Sequence, residues 1–161
     1  MLKYITLFAL LFGALYVSAE FSKYQKKRLM ECEGFYSLAS YMRHKIGCFL
    51  SPVSEWSSEF SDKALEDVGF LPAMREASDL YEAYSRTAPK MSLGERERED
   101  IERFCASFGK GYADEEMKLL DAFCERLGEH IEYERSEMPR SQRLVRTMCI
   151  SCAVAVSILI I

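Results

Sequence analysis

Two stretches without charged residues lie near the ends of the chain, at residues 4–19 and 147–161. As helices they would be about 24 Å and 23 Å long, against a bilayer core of about 30 Å. The second stretch is apolar on every face, which is typical of a membrane span rather than of a surface helix. The pattern therefore predicts transmembrane helices over residues 1–20 and 147–161, with a helical domain over residues 21–146 between them.

The first apolar stretch has two interpretations. Lys3 before it and Val17-Ser18-Ala19 at its end also fit a cleaved secretory signal peptide. A basic cluster follows directly, formed by Lys23, Lys26, Lys27 and Arg28. Positive charge just beyond an apolar segment holds that side in the cytoplasm, which favours an uncleaved anchor. Cleavage remains open as the alternative.

A second basic cluster precedes the last apolar stretch, at Arg140, Arg143 and Arg146. Both clusters lie on the side of the central domain, so that domain is predicted to face the cytoplasm. Its body is acidic: residues 30–139 hold 13 Lys and Arg against 24 Asp and Glu, a net charge of −11. An acidic body argues against a nucleic-acid partner.

Apolar residues of the domain recur at helical spacing. The first helix should end near Gly47 and carries a stripe at intervals of three and four, formed by Cys32, Phe35, Ala39, Met42 and Ile46. Ser51-Pro52 should start a second helix as N-cap and first-turn proline. A third is predicted to begin near Leu71-Pro72, with one face formed by Met74, Ala77, Tyr81 and Tyr84.

Two more helices have recognisable start signals. Ser92-Leu-Gly-Glu95 matches a capping box, before a charged helix with the apolar face Ile101, Phe104, Cys105 and Phe108. Asp114 should cap a long last helix, which Pro139 is expected to kink. No stretch alternates at period two long enough to be a strand. The predicted fold class is all-α: a helical bundle whose first and last helices are long and antiparallel, flanked by the transmembrane helices.

Candidate chemistry is sparse. Cys32, Cys105 and Cys124 fall on apolar helix faces, where cysteine acts as a small hydrophobe. Cys149 and Cys152 have CxxC spacing inside an apolar segment, which favours close helix packing over redox chemistry. The nearest approach to a metal site is Cys124 with His130, whose spacing is not that of a ligand set. We therefore expect no catalytic residue, no metal and no cofactor.

The acidic run after residue 94 is the main candidate for binding a partner. Its simplest interpretation is a solvated face with i,i+4 ion pairs, and the alternative is a docking surface for a basic partner. The candidate docking residues are Glu95, Glu97, Glu99, Asp100, Asp114 and Glu115. Gly109, Gly111 and Asp114 form a helix-turn motif between the last two helices.

The segment from Phe104 to Leu120 resembles a stretch of the stage III sporulation protein AB family, in which a glycine turn is followed by an Asp that opens the helix leading back to the membrane. The order of segments along the whole chain is also similar. The resemblance implies a non-enzymatic membrane platform subunit of a sporulation-associated, type II secretion-like channel that joins mother cell and forespore. The family is similar to the cytoplasmic domain of the type II secretion F platform protein.

The same resemblance implies partners and a location. The partners would be a cytoplasmic secretion-type ATPase, other membrane subunits of the channel and the lipid bilayer, at the mother-cell membrane around the forespore. A homo-oligomer is left open by the sequence. The alternative is an exported helical protein with a cleaved signal, disulfides and a C-terminal anchor.

Overall fold

The computed structural model describes the backbone of residues 2–48 and 59–160, and the side chains of residues 12–46, 59–152 and 154–156. These residues form six α-helices and one 3₁₀ turn, with no strand among them: α1 Leu2–Cys48, α2 Lys63–Asp67, α3 Phe70–Glu76, α4 Leu80–Thr87, the 3₁₀ turn Ala88–Lys90, α5 Glu95–Ser107 and α6 Ala113–Ile160. The all-α prediction is confirmed for this part of the chain. The predicted helix start at Ser51-Pro52 lies outside the described residues.

The chain divides into two compact units. The first, Lys27–Glu132, is called the core unit here. The second, called the terminal unit, combines the chain before Lys27 with the chain from Tyr133 onwards. The long helices α1 and α6 each contribute to both units.

The hydrophobic centre of the core unit begins with α1. Its predicted stripe is buried at four positions and half-buried at Ile46, the buried members being Cys32, Phe35, Ala39 and Met42. Phe35 packs edge-on against Phe70 of α3, with ring centroids 4.9 Å apart. Each large apolar side chain removed from water in this way contributes roughly 1.5–3 kcal/mol.

Helix α6 supplies the facing layer of the core unit. Leu120, Phe123, Leu127 and Ile131 are buried on one of its faces. Arg43 of α1 pairs with Asp121 of α6 at 2.6 Å, and Gly128 of α6 faces the ring of Tyr36 on α1. Contacts further along α1 therefore meet residues earlier in α6, so the two helices run antiparallel within this unit.

The middle of the core unit differs from the sequence prediction. The single helix predicted from residue 71 is two helices, because the backbone is extended at Ala77 and Asp79 starts α4 as its N-cap. The Asp79 carboxylate accepts a hydrogen bond from the Glu82 amide at 2.7 Å, which satisfies one of the otherwise unpaired N–H groups of the helix start. Tyr81 is consequently 43% exposed rather than packed beside Tyr84.

Two predicted caps were also wrong. Helix α5 starts at Glu95 with Gly94 as N-cap and without a side-chain cap, and the Ser92 amide donates to the Glu31 carboxylate of α1 rather than to Glu95. Asp114 lies inside the first turn of α6, which begins at Ala113. Helix α2, capped by Asp62, was not predicted because five residues are too few to show a period.

The terminal unit is formed by the first part of α1 and the last part of α6. Gln25 donates a hydrogen bond to the Ser141 hydroxyl at 3.0 Å within this unit. The backbone remains helical on both sides of Pro139, which lies inside α6. None of the described helices contains a segment both long and apolar enough to cross a membrane, so the two predicted transmembrane helices are not supported.

Candidate partner-binding surface

Helix α5 turns one face to the core and one to solvent. Ile101, Phe104 and Cys105 are buried, as their spacing predicted, and the Phe104 ring stacks on Phe123 of α6 at 4.1 Å between centroids. The opposite face carries Glu95 and Glu99, which are exposed. Asp100 is half-buried and lies 3.8 Å from the Arg103 guanidinium. Helix α5 therefore does expose acidic side chains, but fewer of them than predicted.

Glu97 does not belong to this exposed face. It lies four residues before Ile101, hence on the buried side of α5, and is only 2% exposed. Its Oε1 atom accepts hydrogen bonds from Arg28 of α1 and pairs with His130 Nε2 of α6. Burial acts to raise the pKa of Glu97, but the hydrogen bonds and the charge of Arg28 outweigh it and hold that pKa below its usual value.

The burial of Glu97 and its pairing with Arg28 correct two sequence predictions. Glu97 cannot serve as a docking residue while it is enclosed, and Arg28 is committed to a carboxylate within the fold. Glu97 and His130 are ligand types that metals use, and here the Glu97 Oε1 atom is shared between His130 and the Arg28 guanidinium. The arrangement is an ion-pair network that joins α1, α5 and α6.

The segment before α5 is fixed by a second polar group. Arg98 donates to the carbonyl oxygens of Leu93 at 3.1 Å and Met91 at 2.9 Å. Glu31 of α1 accepts from the Ser92 amide at 2.7 Å, and its burial raises its pKa despite that bond and the nearby Lys27. These contacts set where α5 begins and hence which way its acidic face points.

The turn between α5 and α6 is organised by two glutamates that sequence reasoning did not assign to it. Gly109 has a φ of +85°, which favours glycine. The amides of Gly109 and Gly111 both donate to Glu116 Oε1, at 3.0 and 2.7 Å. Glu115 accepts from the Tyr112 amide at 3.1 Å. First-turn carboxylates of α6 thus accept hydrogen bonds from the amides of the preceding turn, a role that the sequence analysis gave to no residue.

The turn between α5 and α6, residues 108–112, is called the glycine turn here, and it exposes one large side chain to solvent. Tyr112 is 84% exposed, more than any other described large hydrophobic residue. Asp114 and Glu115 beside it are exposed, as is Lys110, whereas Glu116 is only 8% exposed. The predicted helix-turn residues Gly109, Gly111 and Asp114 therefore do lie together. Tyr112 was overlooked because an isolated tyrosine in a sequence gives no signal of its exposure.

The predicted docking residues form two patches rather than one. Glu95 and Glu99 lie at the start of α5, while Asp114 and Glu115 lie beyond its end. The first patch lies at the start of α5, a helix of 13 residues and about 20 Å, and the second lies past the other end of that helix. Of the two, the glycine turn is the patch with an exposed aromatic side chain.

The basic residues that predicted the membrane orientation are distributed over the core unit and the terminal unit. Lys27 lies 3.8 Å from Glu31 in the core unit, where Arg28 also pairs. In the terminal unit, Lys23 pairs with Glu20 at 3.3 Å and Arg140 with Glu137 at 3.9 Å. Lys26, Arg143 and Arg146 are exposed. The membrane orientation inferred from these charges stays a prediction.

The cysteines whose side chains the structure describes occupy buried and exposed environments. Cys105 is buried and Cys124 half-buried, and burial raises the pKa of both free thiols. Cys149 is half-buried and Cys152 exposed on α6, and both are free thiols. A raised pKa makes a thiol a poorer nucleophile, so Cys105 and Cys124 fit a packing role.

Comparison with known protein families identifies one that this chain matches. A family model described as stage III sporulation protein AB matches residues 3–161, which is nearly the whole chain. No curated protein and no solved structure matches. The matched range includes both compact units and the glycine turn.

Proposed function

Since the chain belongs to the stage III sporulation protein AB family, we propose that it is a non-enzymatic subunit of a sporulation-associated, type II secretion-like channel. In this proposal the core unit docks a cytoplasmic secretion-type ATPase, and the apolar ends associate the chain with the cell membrane. The family match over residues 3–161 supports the sporulation role. The partner follows from the resemblance, and the docking patch from the contacts of the glycine turn.

The observation that carries the docking proposal is the exposure of Tyr112 on an ordered turn. Tyrosine is enriched among the residues that dominate binding energy, because its ring offers a large area with few rotatable bonds. The bonds from Gly109 and Gly111 to Glu116 hold the turn in place before any partner arrives. A preorganised surface loses less conformational entropy on binding. Asp114 and Glu115 add negative charge suited to a basic partner surface.

The docking proposal is tested by substituting the exposed ring. The full chain, purified in detergent micelles, is titrated with the secretion-type ATPase of the same organism and binding is followed by interferometry. Tyr112→Ala should weaken binding by tenfold or more, since truncating a central interface tyrosine costs about 2 kcal/mol. Tyr81→Ala on α4 is the matched control, because it removes another exposed tyrosine of the core unit. Unchanged affinity for Tyr112→Ala, or equal losses for both variants, would refute docking through the turn.

The location needs its own experiment. A topology reporter fused after residue 88 should give a cytoplasmic signal if the basic clusters orient the chain as proposed. A signal from the other side of the membrane would instead support the exported alternative. In that case N-terminal sequencing should show loss of residues 1–19. The reporter result and the ATPase titration are independent, so each part of the proposal can fail separately.

A further inference from the structure

The terminal unit contains a cleft that the proposed docking surface does not use. One wall comes from α1, with Leu15, Ser18 and Ser22, and the other from α6, with Gln142, Arg143 and Arg146. We call it the arginine cleft. All of its walls belong to the terminal unit, and the glycine turn belongs to the core unit.

The polar groups of the arginine cleft are mostly donors. Arg143 and Arg146 are three residues apart and so share one face of α6. The side-chain nitrogen of Gln142 is buried and has no hydrogen-bond acceptor among the described residues. Ser18 and Ser22 add hydroxyl groups one helical turn apart, and the Ser22 hydroxyl donates to the Ser18 carbonyl at 3.0 Å. Two guanidinium groups and an unused amide donor suit an oxyanion such as phosphate.

The charge of the two arginines is not neutralised nearby. Glu20 pairs with Lys23 at 3.3 Å, and Glu137 pairs with Arg140 at 3.9 Å. Neither Arg143 nor Arg146 has a carboxylate partner within the described part of the chain. The cleft therefore keeps two positive charges available for an anion.

Apolar side chains lie exposed on the same two helices. They include Phe12 (68%), Tyr16 (67%), Val17 (57%), Leu144 (57%) and Met148 (65%). Phe12, Tyr16 and Val17 lie within six residues of α1, and contiguous apolar surface of this kind marks contact with lipid or protein. A ligand with an anionic head and hydrocarbon chains satisfies both the arginines and these side chains.

We propose that the arginine cleft binds the headgroup phosphate of an anionic phospholipid, with the acyl chains lying along the exposed apolar side chains of α1 and α6. The guanidinium groups of Arg143 and Arg146 hold the phosphate, and the Gln142 amide donates to it. Recognition is thus by a defined cleft and not only by the diffuse charge of the basic clusters.

The test uses the full chain in dodecyl maltoside micelles, titrated with fluorescent phosphatidylglycerol or phosphatidylcholine and followed by anisotropy. The wild-type chain should prefer phosphatidylglycerol by at least tenfold. Arg143→Gln with Arg146→Gln should weaken that binding by at least tenfold, because the charge-assisted hydrogen bonds from both guanidinium groups to the phosphate are lost. Lys26→Gln with Arg140→Gln is the matched control, since it removes the same charge from the terminal unit outside the cleft. It should change affinity less than threefold.

A second variant separates shape from charge. Ser18→Phe places a ring in the cleft without changing its charge, and should weaken phosphatidylglycerol binding by tenfold or more. Circular dichroism spectra confirm that each variant retains its helices. Equal binding of the two lipids, equal losses for the two double variants, or unchanged affinity for Ser18→Phe overturns the proposal. Displacement of the lipid by millimolar inorganic phosphate also overturns it, because the cleft would then be a site for free phosphate.

Discussion

The buried pair of Arg28 and Glu97 allows a stability prediction with a worked magnitude. Glu97 is 2% exposed and its Oε2 atom has no hydrogen-bond partner, so its charge depends on the contacts of Oε1 with Arg28 and His130. Arg28→Met would leave His130 as the side-chain partner of Oε1. Removing one partner from a buried ion pair costs about 3–5 kcal/mol. The Arg28 side chain is 28% exposed, so solvent screens part of the interaction and we expect about 3 kcal/mol.

The assay is urea unfolding of the full chain in detergent micelles at pH 7, followed by circular dichroism at 222 nm. The double variant Arg28→Met with Glu97→Met should be more stable than Arg28→Met alone, because it leaves no unpaired buried charge. Lys27→Met is the control on the same helix. Its side chain is 53% exposed and lies 3.8 Å from the buried Glu31, which keeps its hydrogen bond from the Ser92 amide, so the loss of Lys27 should cost about 1 kcal/mol or less.

Two results would refute this reasoning. One is an Arg28→Met variant that unfolds at the same urea concentration as Lys27→Met. The other is a double variant no more stable than Arg28→Met, since the cost would then not come from a stranded carboxylate. Either result would mean that the pair is solvated in solution and does not join α1 to α5.

Two further predictions concern the same core. The folded-state pKa of Glu97 is lowered, so its ionised form stabilises the fold above the usual glutamate pKa of about 4.3, and this stabilisation is lost as the pH falls through the lowered folded-state pKa. In Glu97→Gln, the free energy of unfolding should therefore fall less steeply as the pH is lowered. An unchanged pH dependence would contradict a lowered pKa for Glu97 in the folded state. Phe104→Ala removes a ring that stacks on Phe123 at 4.1 Å and should cost about 3–5 kcal/mol in urea unfolding. The half-buried Phe108, changed to Ala as control, should cost less than half as much.

Much of the architecture was predictable because amphipathic helices reveal themselves by period. The stripe from Cys32 to Met42 and the face of Ile101, Phe104 and Cys105 were predicted, and both are buried. The break before Asp79 was missed, since the apolar period continues across it and only the capping residue reveals a new helix start. Short helices such as α2 depend on tertiary packing, which a local pattern does not contain.

The candidate surface was predictable in part. Gly109 and Gly111 lie in the turn as predicted, but Asp114 is not the cap, and neither Glu116, which accepts from the glycine amides, nor the exposed Tyr112 was identified. An acidic residue in the first turn after Gly-x-Gly could have been recognised as a partner for the turn's amides. Glu97 was assigned to solvent because alternating charges resemble a solvated face. Only the packing of α1 reveals that Arg28 lies opposite it.

The polar links of α1 have a consequence for how the chain is made. During synthesis, Glu97 is added 69 residues after its partner Arg28, and Ser92 is added 61 residues after its partner Glu31. At a synthesis rate of about 5–20 residues per second, α1 emerges roughly 3–14 s before these partners exist. During that interval the apolar stripe of Cys32, Phe35, Ala39 and Met42 has none of its α6 neighbours. The nascent chain therefore exposes the side of this stripe that faces α6 until residue 131 has been added, although Phe70 becomes available to cover Phe35 earlier.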